Sequence, residues 1–282
     1  GTSSMRGMLM DDHGHILKSC QSKYWLHYTS EGGVLMEMRQ LDEALDRCLR
    51  EIGDFCATEK IKLDGISVTA QRSSVIPMGK DGHALCHAVM WQAKRCVGLI
   101  EELAPKTKTI YGICGMRPSP VFSAPKMKYV KRHMPEVYEQ AVKLIGFQEY
   151  VLQYLTGEYV TDTSIASRTC LYDLHMEKWS EELLQLFEVD ADKLCTLVPV
   201  GSVIGKTRSS ISDFLRTGSR ILVVSAGGDQ QCAALGMQNK EEDCLICNMG
   251  TGAYVIAQTN KPVLDLEMRV NCNVGAAQGT WI

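Results

Sequence analysis

Ile221-Leu222-Val223-Val224 is an unbroken apolar run that stops at Ala226-Gly227-Gly228-Asp229. Such a run reads as a strand covered on both faces, which belongs to folds whose sheet is layered with helices. Leu245-Ile246-Cys247-Asn248-Met249 is a second run of this kind. It ends at Gly250-Thr251-Gly252, and Tyr254-Val255-Ile256-Ala257 continues extended. Upstream, residues 5–28 read as two strands around the turn Asp11-Asp12-His13-Gly14. Leu41, Leu45, Cys48, Leu49 and Ile52 share one face of a helix over 41–55. Ile66-Ser67-Val68-Thr69 is a short strand, and Val75–Met78 with Ala88–Met90 makes a second hairpin. Helical spacing covers 92–103, 123–133 and 136–156, the last stopped by Gly157. A short helix over 180–187 has Ser180 as its N-cap. The class is mixed α/β, with an antiparallel portion in the sheet.

A length of 282 residues allows about two domains. With 30 basic and 33 acidic residues the net charge is −3, which argues against a nucleic-acid surface. No apolar run approaches the roughly 18 residues a membrane span needs, and no signal peptide is expected. The 12 cysteines are scattered rather than clustered. They read as small core residues in a reducing cytoplasm, with a redox role as the lesser reading. Cys244 and Cys247 lie three apart on a strand, so they point to opposite faces and do not share a metal. His13 and His15 flank a turn without partner ligands. Lys126, Lys128, Lys131, Arg132 and His133 read as a solvated helix face.

Asp229 stands at the mouth of an apolar strand, where open α/β folds place reacting groups. It suits a base that takes a proton from a substrate hydroxyl, and equally an N-cap for the helix 230–237. The glycine-threonine turns Gly1-Thr2-Ser3-Ser4 and Gly250-Thr251-Gly252 let backbone N–H groups approach phosphate, or are simple turns. Arg6 follows the first turn and either meets a phosphate or is a surface residue. Gln71 and Arg72 close the 66–69 run and can hydrogen-bond a polyol or form surface contacts. Trp91 is a floor for a sugar or part of the core.

In their order these segments resemble the FGGY family of carbohydrate kinases over essentially the whole chain. Gly1-Thr2-Ser3-Ser4-Met5-Arg6 resembles its first phosphate motif without the leading aspartate. Thr69-Ala70-Gln71-Arg72 and Trp91-Gln92-Ala93-Lys94-Arg95 resemble its substrate hairpin. Phe122-Ser123-Ala124-Pro125-Lys126 is similar to its F-S-x-x-K segment. Tyr150-Val151-Leu152, Leu155-Thr156-Gly157 and Thr161-Asp162-x-Ser164-x-Ala166-Ser167 match another stretch. Gly228-Asp229-Gln230-Gln231 and Asn248-Met249-Gly250-Thr251-Gly252 are similar to its catalytic segment and second phosphate motif.

The resemblance implies a ribonuclease H-like first domain of the actin-like ATPase superfamily and the start of a second domain of similar core. It divides the chain into a sugar-binding domain, 1–239, lacking its first strand, and the beginning of an ATP-binding domain, 240–282. It implies ATP-dependent phosphorylation of a sugar or polyol, with Asp229 as general base and as a magnesium ligand, in part through water. Gln71, Arg72, Trp91 and Gln230 would bind the substrate. Thr2, Ser3, Arg6, Gly250 and Thr251 would hold phosphates. Glycerol kinases carry glutamate and tyrosine where this chain has Ser73 and Val121, which favours a ketose such as a pentulose over glycerol. The segment from Pro262 to Asn271 also resembles kinases of a quorum-sensing autoinducer, and a non-catalytic sugar sensor is a third reading. The expected setting is cytoplasmic, with a small-molecule partner, no nucleic acid or membrane partner, and a homodimer left open. The stretch alone is expected to have little or no kinase activity, because the first strand is expected before Gly1 and the adenosine-binding part after Ile282.

Overall fold

The computed structural model describes residues 1–237, 245–249 and 253–282. The apolar run forms the middle of a three-stranded sheet. Leu222–Gly228 pairs parallel with Gly65–Ala70 on one side and antiparallel with Val203–Lys206 on the other. The parallel register places Val224 beside Ser67 and Gly228 beside Ala70, with an irregularity between Ser225 and Gly227. The strand is not covered on both faces throughout, as the sequence suggested. Val223 and Ser225 are fully buried while Leu222 is 42% exposed. The helix Phe147–Thr156 covers the inner face and puts Leu152 and Leu155 against Val68 and Val223. Leu245–Met249 is likewise one-sided: it pairs antiparallel with Ala253–Ala257, with Ile246 buried and Leu245 exposed.

Ser4–Met10 and Ile16–Lys23 form the first hairpin, pairing only with each other among the described residues. Asp11 fixes its turn by accepting hydrogen bonds from the His13 and His15 amides. The long helix Met38–Glu59 exceeds the expected span at both ends. Its buried stripe of Leu41, Leu45, Cys48, Ile52 and Cys56 recurs every three or four residues, the period that brings side chains onto one face. Lys60 then turns left-handed, and its amide donates to the Cys56 carbonyl.

The middle of the chain departs from its helical spacing. The 92–103 stretch is helical only over Val97–Glu102. A 3-10 turn containing Pro105 follows, and then a helix, Thr107–Cys114, that periodicity did not reveal. The 136–156 stretch splits into Pro135–Gln140 and Phe147–Thr156 around a strand, Lys143–Ile145. Ala141 leaves helical geometry, and Gly146 caps the second helix with the Glu149 side chain reaching back to its amide. That strand pairs with Ile76–Met78. The expected second hairpin therefore survives only as bridges such as Val75 to Val89, while Ala88–Val89 pairs with Val34–Met36. The largest core lies here, around Met36, Ile76, Met78, Met90, Ile110, Tyr138 and Phe187. Gly157 is the left-handed helix stop at φ 95°. Ser180 caps its helix by accepting from the Leu183 amide at 3.3 Å.

The basic run is not a solvated face throughout. Lys126 and Lys128 are buried on helix Ser123–His133. Lys128 reaches Glu188 at 3.1 Å, and Arg132 bridges Glu102 and Glu188. The helix docks through these pairs, which is why its charges turn inward. The described cysteines form no disulfide and most are buried. Among the described residues no cluster of three metal-ligating side chains occurs, and no helix is long and apolar enough to cross a membrane.

Candidate active site

The site forms where the two parallel strands end. Gly227 adopts φ 104°, a conformation that favours glycine, and Gly228 has no room for a side chain. A Cβ at Gly228 would lie 2.5 Å from Arg72 Cδ and 2.6 Å from Gln231 Oε1. This close approach sets Arg72 against the strand end. Asp229 is the first residue of helix Asp229–Met237, where the exposed backbone N–H groups favour a carboxylate. Its Oδ1 accepts from the Gln230 amide at 2.8 Å. Asp229 thus opens the helix as its first residue, and its one described bond, to the adjacent amide, is not the bond to a second or third helical amide that an N-cap makes.

A buried polar network lies behind this end. The Asp162 carboxylate accepts from the Ser164 amide at 3.0 Å, the Ser164 hydroxyl at 2.6 Å and the Ile165 amide at 3.2 Å. It also accepts from the Ser225 hydroxyl. Ser164 Oγ in turn accepts from the Gly228 amide at 3.0 Å. Gln148 Nε2 donates to the carbonyls of Val68 and Gly227, both at 3.1 Å, and so ties the two strand ends together.

The other wall comes from loops after Gly65–Ala70 and before helix Ser123–His133. Arg72 Nη2 donates to Gln230 Oε1 at 3.0 Å. Desolvation, and then Arg168, pull the Arg72 guanidinium down to about 9, while Asp229, Tyr254 and Asp162 act in the opposite direction. Gln71 is 4% exposed, and neither of its side-chain polar atoms has a partner among the described residues. Trp91 Nε1 donates to Thr2 Oγ1 at 3.2 Å. Lys126 Nζ donates to the carbonyls of Pro120, Val121 and Phe122 at 2.7, 2.6 and 2.9 Å and so fixes the loop that presents Val121. Burial pulls this ammonium down to about 7.

These walls enclose a cleft of about 300 Å³. Six residues singled out from sequence line it: Thr2, Gln71, Arg72, Trp91, Asp229 and Gln230. Ser73, Val121, Arg168, Ala233 and Tyr254 complete it. Ser3 and Arg6 are exposed and do not line it. Gly250 and Thr251 lie outside the described residues. Sequence reasoning passed over Arg168 and Tyr254. The signal for Arg168 was a lone cation directly after the small residues Ser164, Ala166 and Ser167; Tyr254 follows the Gly250-Thr251-Gly252 motif by two residues in sequence. A separate inner space of about 20 Å³, enough for about one water, is shared by Gln71, Arg72 and Ser73 with Glu149. Burial pushes the Glu149 carboxyl up to about 7, although Thr161 and Gly146 both donate to it.

Asp229 is the one carboxylate among the described lining residues. A single hard oxygen ligand suits a magnesium ion that keeps its waters and is carried on phosphate oxygens, rather than a metal held in a protein cage.

The fold around this cleft is ribonuclease H-like, the core of the actin-like ATPases. It matches xylulose kinase from Lactobacillus acidophilus with a TM-score of 0.90 at 24% identity, covering 99% of this chain and 57% of that one. Glycerol kinase from Plasmodium falciparum, solved with ADP, matches with a TM-score of 0.89 at 21% identity, over 99% and 58% of the two chains. The model of the FGGY family of carbohydrate kinases, N-terminal domain, matches residues 1–236, and the chain belongs to that family. Glycerol kinase from Thermococcus gammatolerans is 32% identical over 268 residues, 93% of this chain and 53% of the relative. Xylulose kinase from Lactococcus lactis is 26% identical over 269 residues, 93% and 52% of the two chains. The chain thus spans about half the length of the curated relatives it matches.

Proposed function

We propose that this chain is the acceptor-binding part of a kinase that transfers the terminal phosphoryl group of ATP to a hydroxyl of a sugar or polyol. The observation that carries the reading is Asp229, set at the end of a parallel strand in a cleft that also presents the polar side chains of Gln71, Arg72, Ser73 and Gln230. Asp229 takes the proton of the attacking hydroxyl as the new O–P bond forms and the bond to the ADP oxygen breaks. Arg72, Gln71 and Gln230 hold neighbouring hydroxyls, and Trp91 lies beneath the carbon chain. Thr2, at the cleft wall, meets a phosphate; Ser3 and Arg6 lie outside the cleft and carry no step of this reading. Magnesium, when bound, neutralises phosphate charge; Asp229 would hold it in part through water.

The acceptor is a ketose such as a pentulose, or a larger polyol, in preference to glycerol. Two lining residues support this choice. Val121 offers an apolar surface, and Ser73 a short hydroxyl, where a three-carbon triol needs polar grips. In this reading residues 1–239 form the acceptor domain and 240–282 begin the ATP domain. The described cysteines, unbonded and mostly buried, suit a cytoplasmic enzyme.

The test is ADP formation by the full-length protein across ketoses, polyols and glycerol. Asp229→Ala lowers kcat on the best acceptor by roughly 10²–10⁴-fold. Unchanged turnover removes Asp229 from its role. Acceptor binding by the wild type without any turnover favours a sensor instead.

A further inference from the structure

Among the described residues, the guanidinium of Arg168 stands in the cleft without a hydrogen-bonded or ion-paired counterpart. Arg168 follows the short helix Thr163–Ala166, and its backbone amide donates to the Ile165 carbonyl at 3.0 Å. Its guanidinium lies over the ring of Phe122, 4.7 Å from the centroid, and lines the cleft. Among the described residues this guanidinium makes no hydrogen bond and no ion pair. Its neighbour Arg72 donates only to the neutral Gln230 and leaves its buried Nη1 without a described partner, so neither cleft guanidinium is neutralised by a direct ion pair among the described residues.

The charge balance of the cleft sharpens the point. Two guanidiniums, Arg72 and Arg168, face one described carboxylate, Asp229. The residue beside Arg72 is Ser73, so no second carboxylate is supplied there. Each arginine feels Asp229, and Arg168 opposes the charge of Arg72. An enclosed guanidinium without a partner is costly to fold, and a planar fork of N–H donors is best satisfied by an oxyanion. Neutral hydroxyls do not discharge it. The aromatic face of Phe122 holds the group in place without using its donors.

We propose that Arg168 is the oxyanion-holding residue of the cleft, meeting either a carboxylate carried by the acceptor or the phosphoryl group as it passes to the acceptor oxygen. The inference rests on the kinase reading of this site. Both sources present the same chemistry, and each leaves a different kinetic trace.

The experiment uses the full-length protein, as wild type, Arg168→Ala and Arg168→Lys, with thermal melts to show that each variant folds. Calorimetry measures binding of D-xylonate, xylitol and inorganic phosphate. Xylonate differs from xylitol by a carboxylate in place of a terminal alcohol. The wild type binds one or both anions, Arg168→Ala weakens that binding ten-fold or more, and Arg168→Lys recovers part of it. Steady-state phosphorylation separates the sources. A carboxylate partner raises KM for D-xylonate in Arg168→Ala at least ten-fold more than KM for xylitol. A phosphoryl partner lowers kcat on neutral acceptors by roughly 100-fold or more, with little change in KM. Equal anion binding by wild type and Arg168→Ala, or a wild type that binds neither anion, overturns the proposal. A wild type that phosphorylates nothing overturns the kinase reading, while the titrations still decide the role of Arg168.

Discussion

Lys126 offers a quantitative test of how the cleft wall is held. Its ammonium is 1% exposed and donates to three consecutive carbonyls. Burial moves it from the ordinary lysine value of 10.5 to about 7, with Cys96 and Cys170 acting slightly in the opposite sense. A displacement of that size corresponds to roughly 5 kcal/mol between the protonated and neutral forms. The sign follows from linkage. Between about 7 and 10.5 the unfolded chain holds a proton on this lysine that the folded chain has released, so its contribution to stability rises with pH across that window. In Lys126→Met the charge cost disappears, but three carbonyls lose their donor at about 1–3 kcal/mol each. The two effects nearly offset at neutral pH, so the variant folds. The gap between wild type and variant then widens with pH, by up to about 5 kcal/mol at the upper end. Urea unfolding of both proteins at pH 7, 8, 9 and 10 measures it, and taking the difference cancels the tyrosines and cysteines that titrate alongside. A difference that stays constant across this range would refute the argument. Because the same carbonyls position Val121, the variant is also expected to raise KM for the acceptor more than it lowers kcat.

Gly228→Ala forces a methyl group to within 2.5 Å of Arg72 Cδ, so the arginine must leave Gln230. Acceptor KM is expected to rise about ten-fold or more, the loss of roughly 1.5–3 kcal/mol from one charged hydrogen bond; an unchanged KM argues against Arg72 as an acceptor ligand. Glu149 has its folded value raised to about 7 by burial, so its contribution to stability is full below the ordinary carboxyl value of 4.5 and is lost as pH rises through 7. Glu149→Gln is expected to flatten that slope in denaturation experiments between pH 5 and 8, and a parallel slope in the variant counts against the assignment. Trp91→Phe keeps the ring but removes the bond to Thr2. It is expected to raise KM for ATP more than KM for the sugar, if Thr2 meets a phosphate.

Much of the site was legible because its residues stand at strand ends, where sequence marks them. Asp229 follows two glycines, Arg72 closes an apolar run, and both enter the same cleft. The helix over 41–55 was legible for a similar reason, since its stripe follows a single period. The strand Lys143–Ile145 was not. Its residues continue a helical spacing, and only pairing with Ile76–Met78, some 65 residues upstream, makes them extended. Lys126 and Lys128 misled because charge normally signals solvent. Their burial depends on carbonyls 120–122 and on Glu188, partners that local pattern does not display. Arg168 escaped notice because a single arginine says nothing until the fold shows that it lacks a counter-ion.

The Asp162 network also governs how the cleft can open. The four hydrogen bonds its carboxylate accepts come from the short helix Thr163–Ala166 and from Ser225 on the strand that leads into Asp229. If that strand peels away alone, a fully buried carboxylate loses the Ser225 hydroxyl and the Gly228 amide loses Ser164. Partial detachment is therefore penalised, and the strand end and short helix should come apart as one cooperative unit. The amide hydrogens of Ser164, Ile165 and Gly228 are expected to exchange with solvent deuterium at a common, slow rate, far behind those of the exposed hairpin turn at Asp11–His15.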